Sequence, residues 1–352
     1  MKKLLVRLGF KHMGNHSGYD NVFQYLQNAN EDFISVFKKE STINNIKSLF
    51  LYLKNKEIPR TSFYLKRAFE LERRAINILA KNDSKIIHYT YVENNFALLN
   101  KPSYRRKIKG CKVVGTIHQP MEWWKEKANL NLLQSLDALI TLSQSEKELF
   151  EKVIPGKVHF IPHAADTNHF KPGIKTDKTF RCLTVGNWMR DFRAISDCIQ
   201  KLNNQNPKIE FDIIYNKPIT ENKAYAELLN IPQVTFYSRI PDQALLDLYH
   251  NASVLLLPLL NATANNAILE SAACGLPILT TEIESLKSYT DPSFTFYFPK
   301  QDSEQMANWV LDKFNSPDEI SKLSSLARTY SEKKLDIKVV ANQLENLYKS
   351  LV

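Results

Sequence analysis

One carboxylate in an apolar helix is the first chemical group this sequence offers. Glu270 lies within residues 261–281, NATANNAILESAACGLPILTT, between two apolar runs. Ser253–Leu257, closed by Pro258, reads as a strand buried on both faces. Ala264–Ala273 reads as a helix with Ile268, Leu269, Ala272 and Ala273 on its buried side, stopped by Gly275 ahead of Pro277. An acid among Ala, Ile, Leu and Cys is costly to bury alone, so it needs a partner: a neighbouring Arg, a cap, or a ligand. Thr263, Ala264, Asn265 and Asn266 open the helix. Their N–H groups face the carboxyl ends of the strands, where open parallel sheets bind anions, and a pyrophosphate suits that place. One turn further on, the carboxylate reaches a vicinal diol, which accounts for the ribose of a nucleotide.

The elements that must position these groups alternate along the chain. Strands are expected at 2–8, 33–37, 85–89, 112–117, 157–161, 180–185, 211–215, 233–237 and 294–298, with a further buried strand ending at Ser143. Helices are expected at 19–27, 46–54, 63–79, from near Ser145, and at 194–202, 245–249, 304–313, 317–330 and 337–351. At 352 residues and 43 % apolar content the chain is long enough for two domains, each with its own core. No apolar run approaches the ~20 residues that span a bilayer. MKKLLVRLGF leads into a strand without a cleavage-site pattern, so the expected location is the cytoplasm.

Cys111, Cys182, Cys198 and Cys274 form no C-x-x-C pair, which indicates neither zinc nor a disulfide framework. His159 and His163, four apart on a strand, stand roughly 13 Å apart, too far to share a metal. The net charge of +10 favours anionic partners: acidic lipid surfaces, nucleic acid or diphosphates. The one-signed run Arg105, Arg106, Lys107, Lys109 and Lys112, followed by Trp123 and Trp124, reads either as a solvated connection and core, or as a surface for anionic lipid or sugars.

Three segments carry a family resemblance. LESAACGLPILTT resembles the nucleotide-site signature of the retaining GT-B glycosyltransferases (glycosyl transferases group 1 type). VVGTIHQP is similar to that family's strand ending in Thr-x-His, and IPHAADTNHFKP to its Ile-Pro-Asn-Gly-Val-Asp-x-x-x-Phe-x-Pro segment, with His163 and Ala164 substituted. The resemblance implies an α/β GT-B fold: two doubly wound Rossmann-like domains facing across a cleft. The boundaries expected are 1–172 for an acceptor-side domain, 173–178 for a linker, 179–335 for a nucleotide-sugar domain, and 336–352 for a helix crossing back to the first.

It also implies roles. Glu270 holds the ribose hydroxyls and His118 lies against the donor sugar; Arg190 and Arg193 neutralise the departing diphosphate, although Arg190 could instead pair with Asp191 or Asp197. Gly14 and Gly18 of the first loop and Gly186 of the loop after residue 185 let backbone approach the diphosphate. Ser238, Arg239 and Ile240 receive the base, and Thr263, Ala264, Asn265 and Asn266 the phosphates. The family's first Glu is replaced by Ala262, so sugar recognition falls to Thr263, Asn265 or Asn266. No metal or other cofactor is expected. The implied activity is retaining transfer of a sugar from a nucleotide-sugar to a glycan or lipid-linked acceptor, in envelope polysaccharide or glycolipid assembly, with peripheral contact at an anionic membrane. The alternatives are glycosylation of modified DNA and a binding or scaffold protein without turnover.

Overall fold

The computed structural model describes residues 2–8, 16, 18–26, 33–38, 53, 58–64, 66–176 and 178–352. The helix expected at 46–54 lies outside the described residues except for Leu53. Two compact units emerge. One holds residues 1–13, 18–163 and 338–352, the other residues 14–17 and 164–337.

The first unit is built on a six-stranded parallel sheet of order β2-β1-β3-β4-β5-β6. Its strands are β1 (Lys3–Leu8), β2 (Phe33–Lys38), β3 (Ile86–Tyr89), β4 (Lys112–Thr116), β5 (Ala138–Thr141) and β6 (Val158–Phe160). The strands are apolar runs rather than alternating patterns because helices cover both faces of a parallel sheet. All four residues of β3 and of β5 are buried. The Lys66–Leu79 helix packs Phe69, Ala75 and Ile76 into this core. Ser143, and not Ser145, caps the Gln144–Glu151 helix by accepting from the Glu146 N–H at 3.2 Å. The closing helix, Ile337–Ser350, places Tyr348 in the same unit, where its hydroxyl hydrogen-bonds His88 Nδ1 at 2.6 Å.

Trp124 is fully buried in this core and Trp123 packs beside it against Phe63. The interface reading of the tryptophan pair is therefore corrected: the first turn of the Met121–Lys127 helix turns both rings inward. Arg105 is tied to Asp137 at 2.9 Å, while Arg106, Lys107, Lys109 and Lys112 stay exposed.

The second unit holds β7 (Phe180–Val185), β8 (Ile209–Ile214), β9 (Val234–Tyr237), β10 (Val254–Leu257), β11 (Ile278–Thr281) and β12 (Thr295–Phe298). Their order is β12-β11-β10-β7-β8-β9, all parallel. Counted from the first strand of the unit this is the 3-2-1-4-5-6 arrangement of a dinucleotide-binding sheet, and it reverses between β7 and β10. β10 is fully buried, each of its Val and Leu side chains adding about 1.5–3 kcal/mol to the drive for burial. The reversal leaves a crevice at the carboxyl ends of β7 and β10, between the helices that follow them.

Candidate functional site

Both strands that flank this reversal end in loops fastened to each other. Asp191 donates its N–H to the Pro258 carbonyl at 3.0 Å, Leu260 donates to Met189 at 2.9 Å, and Arg190 and Leu259 form an antiparallel bridge. The loop after β7 makes this turn with Gly186 at φ 90° and Met189 at φ 56°. The first is a conformation natural to glycine and the second is a strained one for a side-chain-bearing residue. Asp191 then caps the Phe192–Gln205 helix through the Ala194 N–H at 3.1 Å.

The guanidinium of Arg190 is folded back under this loop. Its Nε and Nη2 donate to the Val185 carbonyl at 2.9 and 2.7 Å, and its Nη1 to that of Trp188 at 2.7 Å. Burial lowers it to about 10, against the opposing pull of Tyr225, Tyr249 and Glu270, so it remains a cation at neutral pH. The carboxylate pairing considered for Arg190 falls instead to Arg193. Arg193 is exposed, with Nη2 on Asp197 at 2.7 Å and Nη1 on Glu227 at 3.0 Å. The structure thus brings Arg190 to the crevice and holds Arg193 along the outside of its own helix.

Beyond β10 the chain reaches the Asn266–Ala273 helix, capped by Asn265, whose side chain accepts from the Ala267 N–H at 3.0 Å. The cap leaves the N–H groups of Thr263 and Asn266 with no protein acceptor among the described residues. The Thr263 hydroxyl is likewise buried without a partner among them. One turn in, Glu270 is buried and accepts from the Tyr249 hydroxyl at 2.8 Å. Burial first and the carboxylate second push that phenol well above its usual range, so Tyr249 acts as a fixed donor. Tyr249 is one protein partner of Glu270, and the Arg190 cation interacts with the same carboxylate electrostatically. Tyr249 is supplied by the Asp242–Asn251 helix.

Ser238, Arg239 and Ile240 follow β9, the edge strand, two strands away from β7 on the β8 side. Arg239 stands at φ 53° and donates its N–H to Asn216 Oδ1 at 2.8 Å, which fixes an exposed turn at the carboxyl end of the sheet. Ala262 stands where the acid of the family signature is missing, and its carbonyl accepts from the Ser285 hydroxyl.

In the first unit His118 follows β4 at the carboxyl edge. Its Nε2 meets the Thr90 carbonyl at 2.8 Å. A carbonyl can only accept, so Nε2 carries the proton and Nδ1 keeps its lone pair. Tyr91 stacks on the ring at 4.0 Å and Tyr19 meets it edge-on at 5.1 Å. Burial above all, with His163 adding to it, lowers His118 to about 3, so the ring is neutral at physiological pH. The turn is held by Glu93, which accepts from the N–H groups of His118 and Gln119. Sequence reasoning missed Glu93, because a single acid after β3 carries no periodic signal.

Gly18 stands at φ 105° at the start of the Tyr19–Tyr25 turn, and Gly14 lies outside the described residues. Among the described residues no group of three or more His, Cys, Asp or Glu side chains is gathered to hold a metal ion. None of their helices is long and apolar enough to cross a membrane.

Comparison with known proteins matches this architecture half by half. Residues 179–315 fit the family model described as Glycosyl transferases group 1, and residues 48–169 that described as Glycosyltransferase Family 4. No curated protein sequence matches the chain. Among solved structures, sucrose-phosphate synthase from Thermosynechococcus elongatus superposes with a TM-score of 0.73 at 17 % identity, covering 100 % of this chain and 99 % of its own. A glycosyltransferase from Rickettsia africae gives 0.72 at 13 % identity, over 99 % and 98 %. HepE from Anabaena, solved with UDP and glucose, gives 0.68 at 15 % identity, over 99 % and 100 %.

Proposed function

Since the chain belongs to the glycosyltransferases of GT-B fold, we propose that it transfers a sugar from a nucleotide-sugar to a saccharide or lipid-linked acceptor with retention of anomeric configuration. The observation that carries this reading is the β7–β10 crevice. There a buried carboxylate on a helix, the unpartnered N–H groups at that helix's start and a buried guanidinium converge on the carboxyl ends of the two strands. Glu270 accepts the two ribose hydroxyls. The Thr263 and Asn266 N–H groups meet the diphosphate, and the Thr263 hydroxyl finds its missing partner on the same ligand.

As the bond between the anomeric carbon and the diphosphate breaks, the electron pair stays on the phosphate oxygen. Fixed N–H dipoles and the Arg190 cation stabilise that charge without reorganising. Arg193 joins them on release from Asp197 and Glu227. The family resemblance assigns a hydroxyl of the transferred sugar to His118, which within its own unit is neutral and has Nδ1 open as an acceptor. The diphosphate is neutralised by these groups, and no metal is assigned to it.

The acceptor belongs to envelope polysaccharide or glycolipid assembly in this reading. A lipid surface would meet Arg106, Lys107 and Lys109, which precede β4, and Lys112, which opens it, so that all four lie at its amino end, roughly 17 Å of strand away from His118.

A thermal-shift panel of UDP-, GDP-, ADP- and CMP-sugars tests the donor site. One nucleotide class raises the melting temperature, by an amount equivalent to about 2.7 kcal/mol at a hundredfold excess over Kd, and Glu270→Ala abolishes the rise. No shift with any donor removes the transferase reading. Ala262, where the family signature carries an acid, motivates a second reading of nucleotide binding without turnover; a shift with neither hydrolysis nor transfer of the bound donor would select it.

A further inference from the structure

Three large apolar side chains stand exposed on the two fastened loops of the second unit: Trp188 at 64 %, Met189 at 36 % and Leu260 at 49 % of their full surface. A single exposed apolar residue is ordinary on any protein surface. These three sit together because Leu260 donates its N–H to the Met189 carbonyl, and Trp188 is adjacent to that link. The Trp188 carbonyl is itself held by Arg190 Nη1 at 2.7 Å. The indole is therefore carried on backbone fixed from both sides, with Met189 kept in the left-handed region.

Around this apolar face are two half-buried amides. Asn187 accepts from the Asn216 N–H at 3.2 Å and Asn261 from the Ala262 N–H at 2.8 Å. The amide nitrogen of each has no acceptor among the described residues. A flat aromatic face with amide donors beside it is the chemistry that recognises a sugar ring, whose C–H face is apolar and whose rim carries hydroxyls. An apolar protein partner would have no use for the amides, and a patch of three side chains is small for one.

We infer that Trp188, flanked by Met189, Leu260, Asn187 and Asn261, is a stacking platform for a pyranose ring of the substrate at the mouth of the β7–β10 crevice. The inference rests on the nucleotide-sugar reading and names a specificity-determining residue within it. The ring is that of the donor or that of the acceptor. Both present the same C–H face, and the test separates them.

The protein has four tryptophans, so its indole N–H signals in a nitrogen-15 spectrum are few enough to resolve, and Trp188→Phe assigns the one of interest. The full chain is titrated with UDP, then with UDP-glucose, and then, saturated with UDP, with the methyl pyranosides of glucose, galactose, mannose and N-acetylglucosamine. GDP with GDP-mannose and ADP with ADP-glucose form parallel series. Movement of the Trp188 signal with the sugar nucleotide beyond that with the nucleotide identifies a donor ring, and movement with a pyranoside identifies an acceptor ring. In either case Trp188→Ala weakens the sugar-dependent binding by about tenfold, Trp188→Phe stays within about threefold, and nucleotide affinity is unchanged.

Equal loss of UDP and UDP-glucose affinity in Trp188→Ala overturns the inference in favour of a base-stacking residue. An unmoved Trp188 signal in all sugar titrations of a protein that binds nucleotide overturns it as well. Failure of the wild-type chain to bind any nucleotide is a different result. It removes the reading beneath, and the platform with it, and the thermal panel registers it without reference to Trp188.

Discussion

Arg190 and Arg193 read alike in the sequence and end in opposite environments. Arg190 satisfies two backbone carbonyls from a buried position, whereas Arg193 bridges two carboxylates in solvent. Arg190→Ala leaves the carbonyls of Val185 and Trp188 without their donor, so a loss of about 1–3 kcal/mol for each group is expected in urea denaturation. Arg190→Lys recovers little, because an ammonium cannot reproduce the fork. Arg193→Ala is expected to leave the denaturation midpoint in place. If Arg193 meets the departing diphosphate, the same variant lowers kcat with KM little changed; an unaltered kcat takes it out of the mechanism. Glu270 stood out in the sequence as a functional candidate through its apolar surroundings taken together with the polar loop, Thr263 to Asn266, that opens its helix. Its partner Tyr249 did not, since that contact needs two helices packed side by side.

At the level of elements, the site depends on how the loop after β7 turns. A Cβ on Gly186 would stand 2.8 Å from Arg190 Nη2, and the backbone there has φ 90°. Gly186→Ala therefore strains the turn and displaces the guanidinium, with an expected cost of about 1–3 kcal/mol and loss of the nucleotide-dependent thermal shift. Asn265→Ala removes the cap of the helix that carries Glu270, costing about 1 kcal/mol, and leaves the Ala267 N–H to compete for the anion. In that variant nucleotide affinity falls less than in Glu270→Ala. The central strands were legible because both sheets are parallel and their middles are buried, which writes strands such as β3, β5, β10 and β11 as short apolar runs. The turn at Met189 was not, because a left-handed conformation at a non-glycine residue has no sequence signature. Trp188 lay within the loop that the glycine announced, but neither its exposure nor its fastened backbone could be read there.

Across the first unit as a whole, buried titrating groups tie stability to pH. His88 is buried among Tyr348, Thr116 and Phe23, and burial, with His118 adding to it, lowers its imidazole to about 3. The unfolded imidazole titrates near 6.5, so between that pH and about 3 the unfolded chain binds more protons. The contribution is whole above about 6.5 and is lost as pH falls towards 3, and His118 acts in the same direction. Glu72, Glu93 and Glu146 are raised to about 7, chiefly by burial, and act oppositely between the ordinary carboxylate range and 7. Urea midpoints of the wild type and His88→Gln between about pH 7 and pH 4 isolate the imidazole, and the variant is expected to lose less stability over that window. An equal loss would show that His88 is not the group responsible.

The sequence by itself determined the class of fold, the strand order along the chain and the segment that holds Glu270, because burial on both faces of a parallel sheet and a helix start at a strand's carboxyl end are written in local residue types. Which strands lie side by side, which arginine is buried, what Glu270 bonds and where Trp188 stands were decided only by the tertiary structure. Each of these depends on residues far apart in the chain, and their meeting is set by packing rather than by spacing.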